Sequence, residues 1–375
     1  MLNNVYIVLK DRIVYGDLCL EGNQIKDIIT KPEPSHTVKR YVIPGFIDLH
    51  IHGASNVDAM DASTYAIEQL ALALVKEGTT AFLATTMTQT PMNIENALTS
   101  IAHYYKNQNP NGAMLLGVHL EGPFIHEGAA GAQPKSCIIP ADIALYEGFN
   151  QTSGKIIRKV SIAPDIPGAM DLIKHLKQTG VVASIAHTKA NYNTALEAIQ
   201  AGASSSTHTY NAMSPLHHRD IGVVGATLLH DELTAELILD KIHVSLPAAR
   251  LLIKNKGYQN VTLITDSMRA KNMPDGISEL GGQSVIISKG EARLTDGTLA
   301  GSILRFIDGY KNAVKDLGLS LVEASYMAST KPAEQLKLSD SMGSIEKGMI
   351  ANLVILDDNY NIETTLVHGQ VVFGG

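Results

Sequence analysis

Eight short apolar runs, spaced through residues 41–266 and separated by longer periodic or polar stretches, constrain this chain more than any other feature. They are YVIPGFIDLH (41–50), TAFLATT (80–86), MLLGVHLE (114–121), RKVSIAP (158–164), VVASIAH (181–187), SSSTHT (204–209), TAELILD (234–240) and VTLITD (261–266). Runs apolar on both faces suit parallel strands that are covered on both sides. Helical patterns lie between several of them. DASTYAIEQLALALVKE (61–77) carries Ile67, Leu70, Leu74 and Val75 at helical spacing, and Gly78 stops the helix. PGAMDLIKHLKQTG (167–180) begins with Pro and ends with Gly, and Ser320 with Glu323 has the spacing of a capping box. Eight strands alternating with helices or loops is the count of a (β/α)8 TIM-like barrel. An open doubly wound sheet would carry a glycine-rich phosphate loop after an early strand, and the sequence has none.

The two ends of the chain read differently. Residues 1–40 alternate around Gly16 and the Gly22-Asn23 turn, and IETTLVHGQVVFGG closes the chain with a second hairpin-like pattern. Neither end has enough strands for a sheet of its own. An α/β fold is therefore expected, with a barrel over residues 45–339 and a small β-sandwich domain assembled from 1–44 and 340–375. A β-hairpin insertion is expected at about 280–298, after the eighth strand, where QSVIISKGEARLTDG (283–297) alternates.

Hydrophobic residues make up 45% of the chain, enough for a large core without a disulfide or structural metal. A net charge of −7 without any long basic stretch argues against nucleic acid or an anionic membrane as partner. Cys19 and Cys137 are too few and too far apart for a disulfide framework or a thiolate zinc site. The N-terminus lacks the look of a signal peptide, and no run of about 18 apolar residues is present to span a membrane. A reducing cytoplasm is the expected setting.

The strand ends concentrate ligand chemistry. The first run ends in His50 and His52, the third in Glu121, the fifth in His187, the sixth in His208 and the eighth in Asp266. Barrel active sites form where the C-terminal ends of several strands converge. A single histidine at such a place is more often a hydrogen-bonded polar group, because a buried polar atom needs only one good partner. The His-x-His pair is different: a side-chain period of two turns both imidazoles toward one ion. His119 also faces the same side as Glu121, one pleat deeper, and reads as a packed core residue. Imidazole and carboxylate donors without thiolate suit divalent Zn, Fe or Mn. Glu121 can bridge two ions, His50, His52 and Asp266 holding one and His187 and His208 the other, which makes two metals per subunit.

At this point the chain resembles the amidohydrolase superfamily of metal-dependent barrel hydrolases. HLEGPF (119–124), GAQP (131–134), AHTKANY (186–192), THTYNAMSPLHHR (207–219), TDSMRA (265–270) and LAGS (299–302) are similar to its N-acetylglucosamine-6-phosphate deacetylase family, over nearly the whole chain. The resemblance implies hydrolysis of the acetamide of a 6-phosphosugar in amino-sugar catabolism. It implies metal binding by Glu121, His187 and His208, and a proton-shuttling role for Asp266. It further implies that Gln133 faces the developing oxyanion, that Asn211–Ala212 contact phosphate through backbone, and that His243 binds substrate. Arg219 matches a phosphate-binding arginine that can come from the neighbouring subunit of a homodimer. From the residues alone, HHR reads as an exposed polar loop.

Three positions depart from the family pattern. RDIG stands for Arg-Glu-Pro-Gly, Lys241 replaces a glycine beside His243, and some members lack one or both histidines of DLHIHG. An N-acetylgalactosamine-6-phosphate deacetylase is the nearest alternative, since only one hydroxyl differs. A cyclic-amide hydrolase would ordinarily carry a bridging lysine and would not need Arg219. A non-catalytic scaffold on the same barrel should have lost ligands, and here every ligand position is filled.

Overall fold

The computed structural model describes residues 1–35 and 38–375. Its centre is an eight-stranded parallel sheet whose barrel strands are β1 (Phe46–Ile51), β2 (Thr79–Thr86), β3 (Met114–Glu121), β4 (Ile157–Ile162), β5 (Val182–Ile185), β6 (Ser205–Ser206), β7 (Thr234–Ile238) and β8 (Val261–Ile264). Each pairs with the next in chain order. The barrel closes between β8 and β1, where Asp266 N donates to His50 O (2.8 Å) and His52 N to Ser267 O (2.9 Å). The seam therefore lies at the expected ligands. Every residue of β1, β2 and β7 is buried, in line with the doubly apolar runs.

Helices cover the outside of the barrel. The helix Thr64–Leu74 runs on through a tight turn to Gly78, which caps it at φ 83°. Ala169–Thr179 lies between Gly168 and Gly180, both left-handed, and Ser320 and Glu323 form both bonds of the expected capping box. Leu70, Phe82, Leu98, Val118 and Tyr146 pack into one continuous core, while Phe46 stacks on Phe306 with ring centroids 4.8 Å apart.

The run 41–50 is not one strand. Tyr41–Pro44 leaves the barrel and pairs antiparallel with Leu353–Leu356 and parallel with Leu2–Val8. Gly45 is the joint, and a Cβ there would stand 2.3 Å from Thr80 Cγ2, so the chain crosses β2 only because this residue has no side chain. Tyr41–Pro44 sits at the middle of a seven-stranded sheet, with Leu2–Val8, Ile13–Glu21 and Gln24–Thr30 on one side. Leu353–Leu356, Ile362–Val367 and Gln370–Gly374 lie on the other, so both chain ends build it.

The insertion after β8 is a three-stranded antiparallel sheet (Gly276–Leu280, Gln283–Ser288, Glu291–Leu294), one strand more than a hairpin. Its first strand, GISEL, buries only Leu280 and has no apolar alternation to betray it. Leu280, Val285 and Ile287 pack on Met87 and Met268. Gln283 Nε2 donates to Ala132 O (2.7 Å), tying the sheet to the loop after β3. Among the described residues, no helix is long and apolar enough to cross a membrane.

Candidate metal centre

His50, His52 and Asp266 bring one donor atom each within 4.8 Å of one another, and Glu121, His187 and His208 do the same. Glu121 joins the two groups. Its Oε1 lies 3.4 Å from His50 Nε2 and 3.3 Å from Nε2 of both His187 and His208, while Oε2 lies 3.3 Å from His52 Nε2. Asp266 Oδ1 is 3.3 Å from His50 Nε2 and 3.2 Å from His52 Nε2. All six residues expected as ligands are buried and meet at the strand ends. His187, His208 and Asp266 hold left-handed backbone, at φ 43°, 30° and 48°. Such conformations cost about 1–3 kcal/mol each and persist at sites that exploit the geometry.

The surroundings decide which ring nitrogen faces inward. His187 Nδ1 lies 2.9 Å from Ala129 O and His52 Nδ1 3.2 Å from Thr85 O, contacts that place the proton on Nδ1 and free Nε2. His50 Nδ1 lies 3.3 Å from Glu236 Oε2, leaving a buried Nε2 that has no hydrogen-bond partner among the described residues. Burial depresses the His208 imidazole, which keeps it neutral, as a ligand must be. Burial opposes charge on His52 too, yet the hydrogen bonds it donates to Asp266 and Glu121 outweigh it and push that imidazole well above its ordinary value. Burial likewise opposes charge on Asp266, but neighbouring His50 and His52 hold its carboxyl down at about 2. Two ionised carboxylates thus draw positive charge into a buried pocket on which the imidazoles of His50, His52, His187 and His208 converge. That donor set fits divalent cations.

The expected substrate residues divide. The site opens into a cavity of about 350 Å³ whose wall includes Gln133, Asn211, Ala212 and His243. Gln133 is oriented at both ends of its amide: Nε2 donates to Glu121 Oε2 (2.8 Å) and Oε1 accepts from Thr88 N (2.8 Å). His243 Nδ1 lies 2.6 Å from Asp240 Oδ2, and burial is outweighed by that carboxylate so that its pKa is raised. Arg219 lies outside this cavity, in a separate cleft with Asn191 and Tyr192, its Nη1 2.8 Å from His218 Nε2. Lys241 also lies outside: its ammonium meets Asp316 Oδ2 at 2.9 Å, and its φ of 69° explains why glycine suits that position.

The sequence pattern does not single out the groups behind the ligands. Asp48 accepts from His50 N (3.2 Å) and from Thr265 Oγ1 (2.5 Å), clamping β1 to β8 beneath the site. Glu236 of β7 backs His50 and meets the Lys159 ammonium of β4 across the barrel interior, both residues fully buried. A charged residue inside an apolar run is the available signal for both. His119 bonds Ser161 Oγ at 2.7 Å and packs on the His50 ring, a support rather than a donor to the centre.

Residues 41–372 match the Amidohydrolase family. A Bacillus subtilis (strain 168) protein named N-acetylglucosamine-6-phosphate deacetylase is 43% identical over 334 residues, 88% of this chain and 84% of its own. The solved structure of the Thermotoga maritima protein of the same name superposes with a TM-score of 0.92 at 33% identity, covering 100% of this chain and 99% of that one. The Mycobacterium smegmatis enzyme, solved as an aspartate-to-alanine mutant with N-acetyl-D-glucosamine-6-phosphate, gives a TM-score of 0.92 at 27% identity, covering 98% and 97%. On its barrel, its strand-end donors and these likenesses, the chain belongs to the amidohydrolase family.

Proposed function

We propose that this chain hydrolyses the acetamide of N-acetylglucosamine 6-phosphate, releasing acetate and glucosamine 6-phosphate. The observation that carries this reading is one carboxylate, Glu121, placed between two donor groups, with Asp266 facing the same cavity. His50, His52 and Asp266 would hold one divalent ion, Zn, Fe or Mn, and His187 and His208 a second, with Glu121 reaching both. Such ions supply Lewis acidity toward the acetyl oxygen and acidify water near neutral pH.

The chain's own groups move the proton. The water oxygen bonds to the acetyl carbon while Asp266 takes the proton that water loses, and Asp266 then returns it to the amine nitrogen as the C–N bond breaks. The return is required because an amide anion leaves too poorly at neutral pH. Gln133 uses one amide hydrogen on Glu121 and keeps the other for the oxygen that gains charge. His243, steadied by Asp240, faces the sugar from the cavity wall, and Asn211–Ala212 offer backbone to the phosphate. Because Arg219 lies outside the cavity of its own chain, its phosphate role belongs to a second copy in a homodimer. A cytoplasmic setting is part of the same reading.

The test is a deacetylation assay with the two epimeric acetamido-sugar 6-phosphates and their unphosphorylated forms. The glucosamine phosphate should give the highest kcat/KM. A higher value for the galactosamine epimer would change the substrate, and indifference to phosphate would remove the roles of Arg219 and His243.

A further inference from the structure

We propose that Lys189 is a phosphate-recognising cation supplied by the same chain that carries the metal centre, and hence a specificity-determining residue. The inference rests on the sugar-phosphate reading above. The cavity wall contains one Lys or Arg side chain among the described residues, and it is Lys189. Arg219 lines another cleft, and His243 is engaged by Asp240. A phosphomonoester dianion that leaves water for this cavity needs a cation or hydrogen-bond donors at its outer end, away from the centre that takes the acetamide. The acetamide and the 6-phosphate lie on opposite sides of the pyranose ring. With the acetamide at the strand ends, the phosphate points toward the mouth.

The local structure presents Lys189 there. His187, two residues earlier, is a donor of the centre. Asp165 clamps the turn between them, Oδ1 accepting from Thr188 Oγ1 (2.5 Å) and Oδ2 from Lys189 N (2.9 Å). Thr188 N donates to Ala212 O (3.0 Å), so this turn is joined to the stretch assigned to phosphate. The Lys189 stem lies along Gly128 at the cavity rim, its Cε 3.6 Å from where a Cβ on that glycine would stand. The residue is exposed, and its ammonium makes no ion pair or hydrogen bond among the described residues. Asp165 has used both oxygens on the backbone and hydroxyl of the turn, leaving the ammonium free for a ligand.

Lys189→Met keeps the aliphatic stem and removes the charge; Lys189→Arg restores a charge. On the metal-loaded protein, Lys189→Met should raise KM for N-acetylglucosamine 6-phosphate about tenfold, the worth of one charge-assisted contact, with kcat nearly unchanged. Inorganic phosphate should inhibit it more weakly than the parent. Lys189→Arg should recover most of the loss. With the unphosphorylated sugar the parent and Lys189→Met should have equal kcat/KM. An equal loss on both sugars, or no loss on either, overturns the proposal while leaving the deacetylase reading intact. A parent protein that does not prefer the phosphorylated sugar overturns that reading and the role of Lys189 together.

Discussion

Glu236 on β7 meets the Lys159 ammonium with one carboxylate oxygen and His50 Nδ1 with the other, at 3.3 Å. The same oxygen accepts from His208 N at 3.2 Å, so one buried group steadies residues of both donor sets. Breaking a buried ion pair leaves an unpaired charge in a dry core, at a cost of about 3–5 kcal/mol, whereas replacing both partners by apolar groups is often neutral. Lys159→Met should therefore lower the free energy of unfolding in urea by about that amount. The double variant Lys159→Met/Glu236→Leu should recover most of it. The double variant should still bind metal at the His50 site about 10- to 100-fold more weakly, because His50 loses the acceptor that sets its tautomer. Additive stability losses, or unchanged metal affinity, would separate Glu236 from both roles.

Asp266 is held ionised and lies within 3.3 Å of two imidazoles, so an amide in its place changes proton chemistry more than shape. Asp266→Asn should retain most bound metal, since an amide oxygen and the remaining donors persist. Its kcat should fall about 10³-fold, the usual worth of a placed acid–base group. Metal analysis beside steady-state kinetics checks both parts, and near-normal turnover removes Asp266 as the proton carrier.

The strand ends are legible in the sequence because two regularities coincide: parallel strands buried on both faces read as apolar runs, and barrel chemistry gathers where they end. Those two regularities alone group His50, His52, Glu121, His187, His208 and Asp266. What escapes them depends on closure in space. Lys159 and Glu236 lie on β4 and β7, which share no ladder, so nothing in either run names the other. Tyr41–Pro44 reads as part of β1 because hydropathy continues through Gly45, while the change of sheet depends on how closely Thr80 approaches. Likeness to the family places Arg219 with the phosphate, and within one chain it lies in another cleft. Lys189 draws no notice because an exposed lysine in a loop has no periodicity.

The Asp240–His243 pair carries a pH signature. Burial lowers the His243 pKa, but the hydrogen bond and charge of Asp240 prevail and raise it above the ordinary 6.5. A histidine raised on folding contributes stability that is fully present below its unfolded pKa and is lost as pH rises through the folded value. Asp240, also buried but lowered by His243, contributes stability present above its unfolded value and lost only in acid. Asp240→Asn should therefore cost stability near pH 6 and progressively less as pH rises past the parent's His243 pKa. Melting temperatures of parent and variant across that range, with NMR titration of His243, test this. A difference that does not shrink with rising pH would show that the pair contributes through packing alone.

On the two-ion reading proposed above, His52 decides how many ions the chain holds. Its Nε2 reaches Asp266 and the Oε2 side of Glu121, while His187 and His208 crowd Oε1 and each other, their Nε2 atoms 3.2 Å apart. The second group keeps three donors without His52, the number that a catalytic divalent site commonly takes from protein. The first group would keep only two donors of its own, His50 and Asp266, with an amide in place of the imidazole. His52→Asn should lower bound metal from about two ions per chain toward one, read by elemental analysis after reconstitution with excess metal. The remaining ion should resist chelation as strongly as the tighter ion of the parent, since Glu121, His187 and His208 are untouched. Unchanged stoichiometry would mean that the histidine pair of DLHIHG is a hydrogen-bonded fixture of the seam between β8 and β1 and holds no ion of its own.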